Sequence, residues 1–118
     1  EYNQALDNFF KALNIFQDMG NTYGEGSILN NIGMIYKVQE QYDEALGYFK
    51  LALDFFQGIE NRYGEGNTLN NIGGLYYTWG QHDLALDYYN QALVVFNILG
   101  NKQYVQMILS NIEAIQQK

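Results

Sequence analysis

Cysteine and proline are both absent from the 118-residue sequence. The first absence excludes disulfides, thiolate metal sites, cysteine nucleophiles and thiol redox switching. The second leaves punctuation to glycine, of which there are 12. Charge is sparse and one-sided. Charged residues make up 16%, against about 25% in ordinary soluble domains. Six basic residues oppose 13 acidic ones, for a net charge of −7. Such a surface repels phosphate backbones and anionic lipid, so neither nucleic acid nor membrane is expected as a partner. No apolar run approaches the ~20 residues of a membrane span, and no signal peptide is expected. The expected location is cytoplasmic.

What the sequence does contain is apolar bulk and repetition. Hydrophobic residues reach 47% and aromatics 16%, mostly Tyr 11 and Phe 7. That is enough for a core, and the length suits one domain. Sliding the sequence by 40 positions aligns Tyr2, Ala5, Leu6, Phe9, Ala12, Leu13 and Phe16 with Tyr42, Ala45, Leu46, Phe49, Ala52, Leu53 and Phe56. Tyr23-Gly24-Glu25-Gly26 falls on Tyr63-Gly64-Glu65-Gly66, and Leu29-Asn30-Asn31-Ile32-Gly33 on Leu69-Asn70-Asn71-Ile72-Gly73. The last stretch keeps Ala85, Ala92, Phe96, Asn101, Leu109, Asn111 and Ile112. A period of this size implies a solenoid, in which each unit buries its apolar face against its neighbours. The single domain 1–118 then divides into a half unit 1–20, full units 21–60 and 61–100, and a half unit 101–118.

Two helical patterns alternate within one period. Ala45, Leu46, Phe49, Ala52, Leu53 and Phe56 step by three and four, as do Leu69, Ile72, Gly73 and Tyr76. Period-two alternation is nowhere sustained. Gly20-Asn21 and Gly100-Asn101 read as a left-handed terminal glycine followed by an asparagine N-cap, with Asn61 equivalent. Gly80-Gln81 marks the tighter turn, and Glu40-Gln41 holds that place one unit earlier. Six helices are predicted near 2–18, 22–38, 42–58, 62–78, 82–98 and 102–117. Gly33 and Gly73 sit inside them, at a cost of ~1 kcal/mol each relative to alanine. Their recurrence points to close helix packing.

The run from Leu69 through Ile72-Gly73 and Tyr76, then Gly80, Ala85, Tyr89 and Ala92, resembles the tetratricopeptide repeat. The unit from Leu29 matches as well, although Glu40 replaces the turn glycine. The usual repeat of that family is shorter and closes on a proline, where this sequence has Gln57 and Asn97. The resemblance implies an all-α, right-handed α-α superhelix of six helices in antiparallel pairs, serving as a protein–protein interaction scaffold. It also implies that the first helix of each unit lines a concave groove for an extended peptide.

Opposite the apolar stripe of the second helix lie Ser27, Asn30, Asn31, Met34, Lys37 and Val38. The fourth helix carries Asn67, Asn70, Asn71, Gly74, Tyr77 and Thr78 at the same places. On the sixth they are Met107, Ser110, Asn111, Ala114, Gln117 and Lys118. Each asparagine amide offers two donors and an acceptor, which suits the backbone of an extended segment. Asn31, Asn71 and Asn111 would form a ladder, with Met34 and Tyr77 giving apolar contact. The alternative is that these asparagines solvate an exposed face or fix helix pitch. Few cations line this face, so an acidic client is not expected; a polar or mildly basic one is.

The ends offer a second class of function. Leu6, Phe9 and Leu13 on the first helix are expected to face a missing neighbour, as are Val105, Ile108, Leu109, Ile112 and Ile115 on the last. Either the sequence is cut from a longer array, or the ends pair between molecules as a homo-oligomer, by domain swapping or head to tail. No enzyme, cofactor or metal is expected. His82 is the one histidine, and no GxxxxGK[ST] string accompanies Gly24-Glu25-Gly26. Trp79, beside Gly80, reads as a packing wedge.

Overall fold

A computed structural model describes residues 1–117. They form α1 (Tyr2–Met19), α2 (Thr22–Val38), α3 (Tyr42–Gly58), α4 (Arg62–Thr78), α5 (His82–Leu99) and α6 (Lys102–Gln116), with no strand among the described residues. The fold is all-α, and each helix lies within one residue of its predicted bounds.

Local chemistry sets these ends. Gly20 and Gly100 take φ of 67° and 70°, the left-handed conformation glycine adopts without a Cβ penalty. Around each, the chain closes back on the helix: Gly20 N–H reaches Gln17 O at 3.1 Å, and Asn21 N–H reaches Phe16 O at 2.9 Å. Asn21 Oδ1 then accepts from Gly24 N–H at 2.9 Å, and Asn101 Oδ1 from Tyr104 N–H at 3.1 Å. These bonds satisfy donors that the first turn leaves open. Glu40 and Glu60 hold the same left-handed geometry, with φ of 62° and 55°. The repeat places them opposite Gly80 and Gly20.

The chain divides into two compact units, Glu1–Asn61 and the part from Arg62 onward. In the first, α2 packs against both α1 and α3. Leu29, Ala52 and Phe56 form a buried cluster, flanked by Leu13, Tyr48 and Phe55. In the second, α5 packs against both α4 and α6. Its buried residues include Leu69, Ile72, Tyr76, Tyr89, Phe96 and Ile108. Thr68, itself buried, donates its hydroxyl to Gly64 O at 2.8 Å, so its polar atom is satisfied within the helix.

The interior glycines are notches. A methyl group built on Gly33 would lie 2.7 Å from the Phe49 ring, and one on Gly26 would lie 2.9 Å from that of Phe56. The second unit repeats this: Gly73 meets the Tyr89 ring at 2.7 Å and Gly66 the Phe96 ring at 2.9 Å. As the numbers rise on one helix they fall on the other, so each pair is antiparallel. Each ring seats against bare backbone, and the helices approach more closely than any side chain would permit.

Candidate functional site

The faces expected to meet a client lie on α2, α4 and α6. In the first unit, α2 has neighbours on two sides and shows solvent only a narrow strip. Asn31, Met34 and Val38 lie on it, exposed, while Ser27 and Lys37 are half-buried. Burial holds the Lys37 ammonium below the usual lysine range, since a half-dehydrated cation is disfavoured. Asn30 is a correction to the sequence reading. It is 6% exposed, out of reach of a client, because its angle on a helix packed on two sides falls inside the covered arc.

In the second unit, Asn67, Asn70, Asn71, Gly74 and Tyr77 on α4 are half-buried and Thr78 is exposed. On α6, Met107, Ser110, Ala114 and Gln117 are exposed and Asn111 is half-buried. Lys118 lies outside the described residues. The Asn70 Oδ1 atom is shut from solvent and accepts no hydrogen bond, so this amide faces inward at least in part. Asn71 and Asn111 are the amides of this unit that retain solvent access at the predicted ladder positions.

Aromatic stacking fixes what surrounds them. Tyr77 lies nearly parallel to the His82 ring, with centroids 5.3 Å apart, so the single histidine braces a predicted contact residue. Trp79 stacks on Tyr76 at 5.8 Å, and Tyr76 stacks in turn on Tyr88 at 5.6 Å. In the first unit Tyr36 stacks on Tyr48, which Phe10 meets edge-on. These stacks are not visible in the sequence as chemistry; the signal for them is the recurrence of tyrosine at positions 36, 48, 76 and 88. Burial raises the Tyr48, Tyr76 and Tyr89 phenols above the ordinary tyrosine value, with a neighbouring phenol adding to each.

The terminal stripes need a larger correction. Leu6, Ile108, Ile112 and Ile115 are buried within the chain, because these positions turn toward the neighbour that each terminal helix does have. Phe9, Leu13 and Val105 are half-buried, and Leu109 is 42% exposed.

Two antiparallel helix pairs, each seated on glycine notches one period apart, find their counterpart among known families. The model of the tetratricopeptide repeat matches residues 24–97. The chain belongs to that family. Tetratricopeptide repeat proteins are typically scaffolds for protein–protein interaction rather than catalysts. Two solved structures share the tetratricopeptide fold at low identity. The crystal structure of the apo form of RapI is similar with a TM-score of 0.80 and 23% identity, covering 92% of this chain and 39% of that one. BtubC (BKLC) from P. vanneervenii gives a TM-score of 0.70 and 22% identity, covering 98% of this chain and 57% of that one. The chain thus spans less than two thirds of either relative. No curated protein matches it significantly.

No group of three or more His, Cys, Asp or Glu among the described residues could hold a metal ion. No helix among them is long and apolar enough to cross a membrane. A shallow depression at the α4–α5 turn, lined by Gly80, Gln81, His82, Asp83 and Leu84, brings together only one histidine and one carboxylate.

Proposed function

We propose that this chain is a protein-interaction module without a reaction of its own, and that its first-type helices take an extended polar or mildly basic segment. The observation that carries this reading is the amide pattern within a tetratricopeptide frame. Asn71 and Asn111 keep solvent access on α4 and α6, and Asn31 does so on α2. Amides of this kind pair with a peptide backbone through both donor and acceptor. Tyr77 adds apolar contact area on α4, and Met34 does so separately on α2. The net charge of −7 favours a client with little negative charge of its own. The proposed location is cytoplasmic.

The test is selection of binders from a display library of extended peptides, followed by affinity measurement on variants. Asn71→Ala and Tyr77→Ala weaken binding of the selected peptides, while far-ultraviolet circular dichroism stays unchanged. Undiminished affinity in both variants would dispose of the reading. Self-association through the terminal helices is the weaker second reading, supported by half-buried Phe9 and exposed Leu109. Sedimentation at several concentrations reads it directly.

A further inference from the structure

The face of α3 turned away from α2 carries a feature that the packing of the chain does not use. At about 100° per residue, Gly47 lies opposite the buried Ala45, Phe49, Ala52 and Phe56. Glu44, Gly47, Tyr48 and Leu51 line an open depression of about 320 Å³ there. Gly47 is its floor. Glycine weakens a helix interior relative to alanine, and here an added methyl group would meet nothing within 4 Å. Gly26 and Gly33 each make way for a ring of α3, whereas no group of the chain uses the space over Gly47.

The surroundings of that floor are apolar on two sides and acidic at one end. Tyr48 stacks on Tyr36 with centroids 5.4 Å apart and meets Phe10 edge-on at 6.1 Å, which fixes its ring. Leu51 is 49% exposed. Glu44 is exposed, and its carboxylate pairs with no cation among the described residues. The one cation of α3, Lys50, does not line the depression.

The repeat shows which of these residues the fold requires. One period on, α5 has Leu84, Asp87, Tyr88 and Gln91 at the same places. Tyrosine recurs, and Tyr88 stacks on Tyr76 as Tyr48 stacks on Tyr36. The glutamate, glycine and leucine do not recur. Nor do they in α1, which has Gln4, Asp7, Asn8 and Lys11. A helix of this type folds without them, so folding does not account for their presence on α3.

We infer that the Glu44–Gly47–Leu51 face of α3 docks an amphipathic, basic helix of a partner protein. The partner seats a bulky apolar side chain over Gly47, between Tyr48 and Leu51, and sets a lysine or arginine against Glu44. Glu44 and Gly47 are about 4.5 Å apart along the helix axis. Residues three or four apart on a partner helix present an apolar group and a cation at a similar spacing. Glu44 and the net charge of −7 disfavour an acidic partner. This goes beyond the peptide-binding reading and uses a different surface.

The test selects binders of the full chain from a display library of helical peptides, with counter-selection against a Gly47→Gln/Leu51→Asp variant. Both positions are exposed and glutamine favours a helix more than glycine does, so this variant keeps its circular dichroism. The recovered peptides carry a large apolar residue with lysine or arginine three or four positions away. As synthetic peptides they bind Gly47→Gln and Leu51→Asp at least about tenfold more weakly than the original chain. Glu44→Gln weakens them about threefold, and that loss fades at about 1 M salt. Asn71→Ala leaves their affinity unchanged, which separates this surface from the asparagine faces. Recovery of no peptide, recovery of acidic peptides, or undiminished binding to Leu51→Asp overturns the inference. So does self-association of the chain that Leu51→Asp abolishes, since a second copy would then be the occupant.

Discussion

Replacing Gly73 by alanine adds one methyl group where the structure leaves no room for it. The new carbon would lie 2.7 Å from Cδ1 of Tyr89, whereas carbon atoms rest comfortably at about 3.5–4.0 Å. The ring must retreat by about 1 Å, or the helices must part. Overpacking of this kind costs about 1–3 kcal/mol, offset by the ~1 kcal/mol that alanine gains over glycine in a helix. The expected net loss is therefore about 0–2 kcal/mol. Gly47 supplies the control, because it lies in α3 with nothing within 4 Å of an added methyl group. Gly47→Ala collects the propensity gain alone and is expected to stabilise the chain by up to ~1 kcal/mol. The gap between the two variants isolates the steric term at about 1–3 kcal/mol. Urea denaturation followed by circular dichroism measures both. Combining Gly73→Ala with Tyr89→Leu relieves the contact, so the pair should couple favourably in a double-mutant cycle. If Gly73→Ala stabilises as much as Gly47→Ala, the notch argument fails.

Three further outcomes follow. Glu40→Gly and Glu60→Gly remove a side chain from left-handed backbone; each is expected to stabilise by about 0.5–1 kcal/mol, since that conformation costs ~1–2 kcal/mol and glycine's unfolded freedom returns part of it. Thermal melts of the single and double variants check additivity. Asn101→Ala loses the bond from Tyr104 N–H and is expected to cost about 1 kcal/mol, with exchange quickening first at the start of α6. Alkali should weaken the fold. Burial first, and the neighbouring Tyr77 second, raise the Tyr89 phenol above its ordinary value. The unfolded chain therefore loses this proton before the native one, so stability is fully present below about pH 10 and declines as pH rises through the raised value. Tyr48 and Tyr76 act in the same sense. Lys37, lowered by burial, acts in the opposite one. Tyr89→Phe should make the alkaline decline shallower in melts run across that range, and an unchanged slope would contradict the assignment.

The helices were legible because their punctuation is local. Gly20-Asn21 and Gly100-Asn101 each encode a stop and a start in adjacent residues, and both behave as their chemistry dictates. The packing use of Gly33 and Gly73 was legible too, since a repeated cost inside a helix needs a repeated benefit. Gly26 and Gly66 were not, because a glycine so near the start of a helix reads equally as part of a loop. Burial on the second flank of a helix was the other gap. Periodicity locates one apolar stripe, whereas α2 is covered on two sides, and Asn30 disappears under the second. The same limit misplaced the open ends. Ile108, Ile112 and Ile115 form an apolar stripe because they already have a neighbour, whereas Gln106 and Glu113 are exposed. Only comparison of equivalent positions across the repeat separates these two faces.

Trp79 is the sole indole in the chain and stands in the second compact unit, against the Tyr76 ring. Its fluorescence therefore responds when that half loses its structure and is blind to the other, whereas ellipticity sums over all six helices. Two spectrometers and one denaturant series thus provide a label-free comparison of when each half gives way.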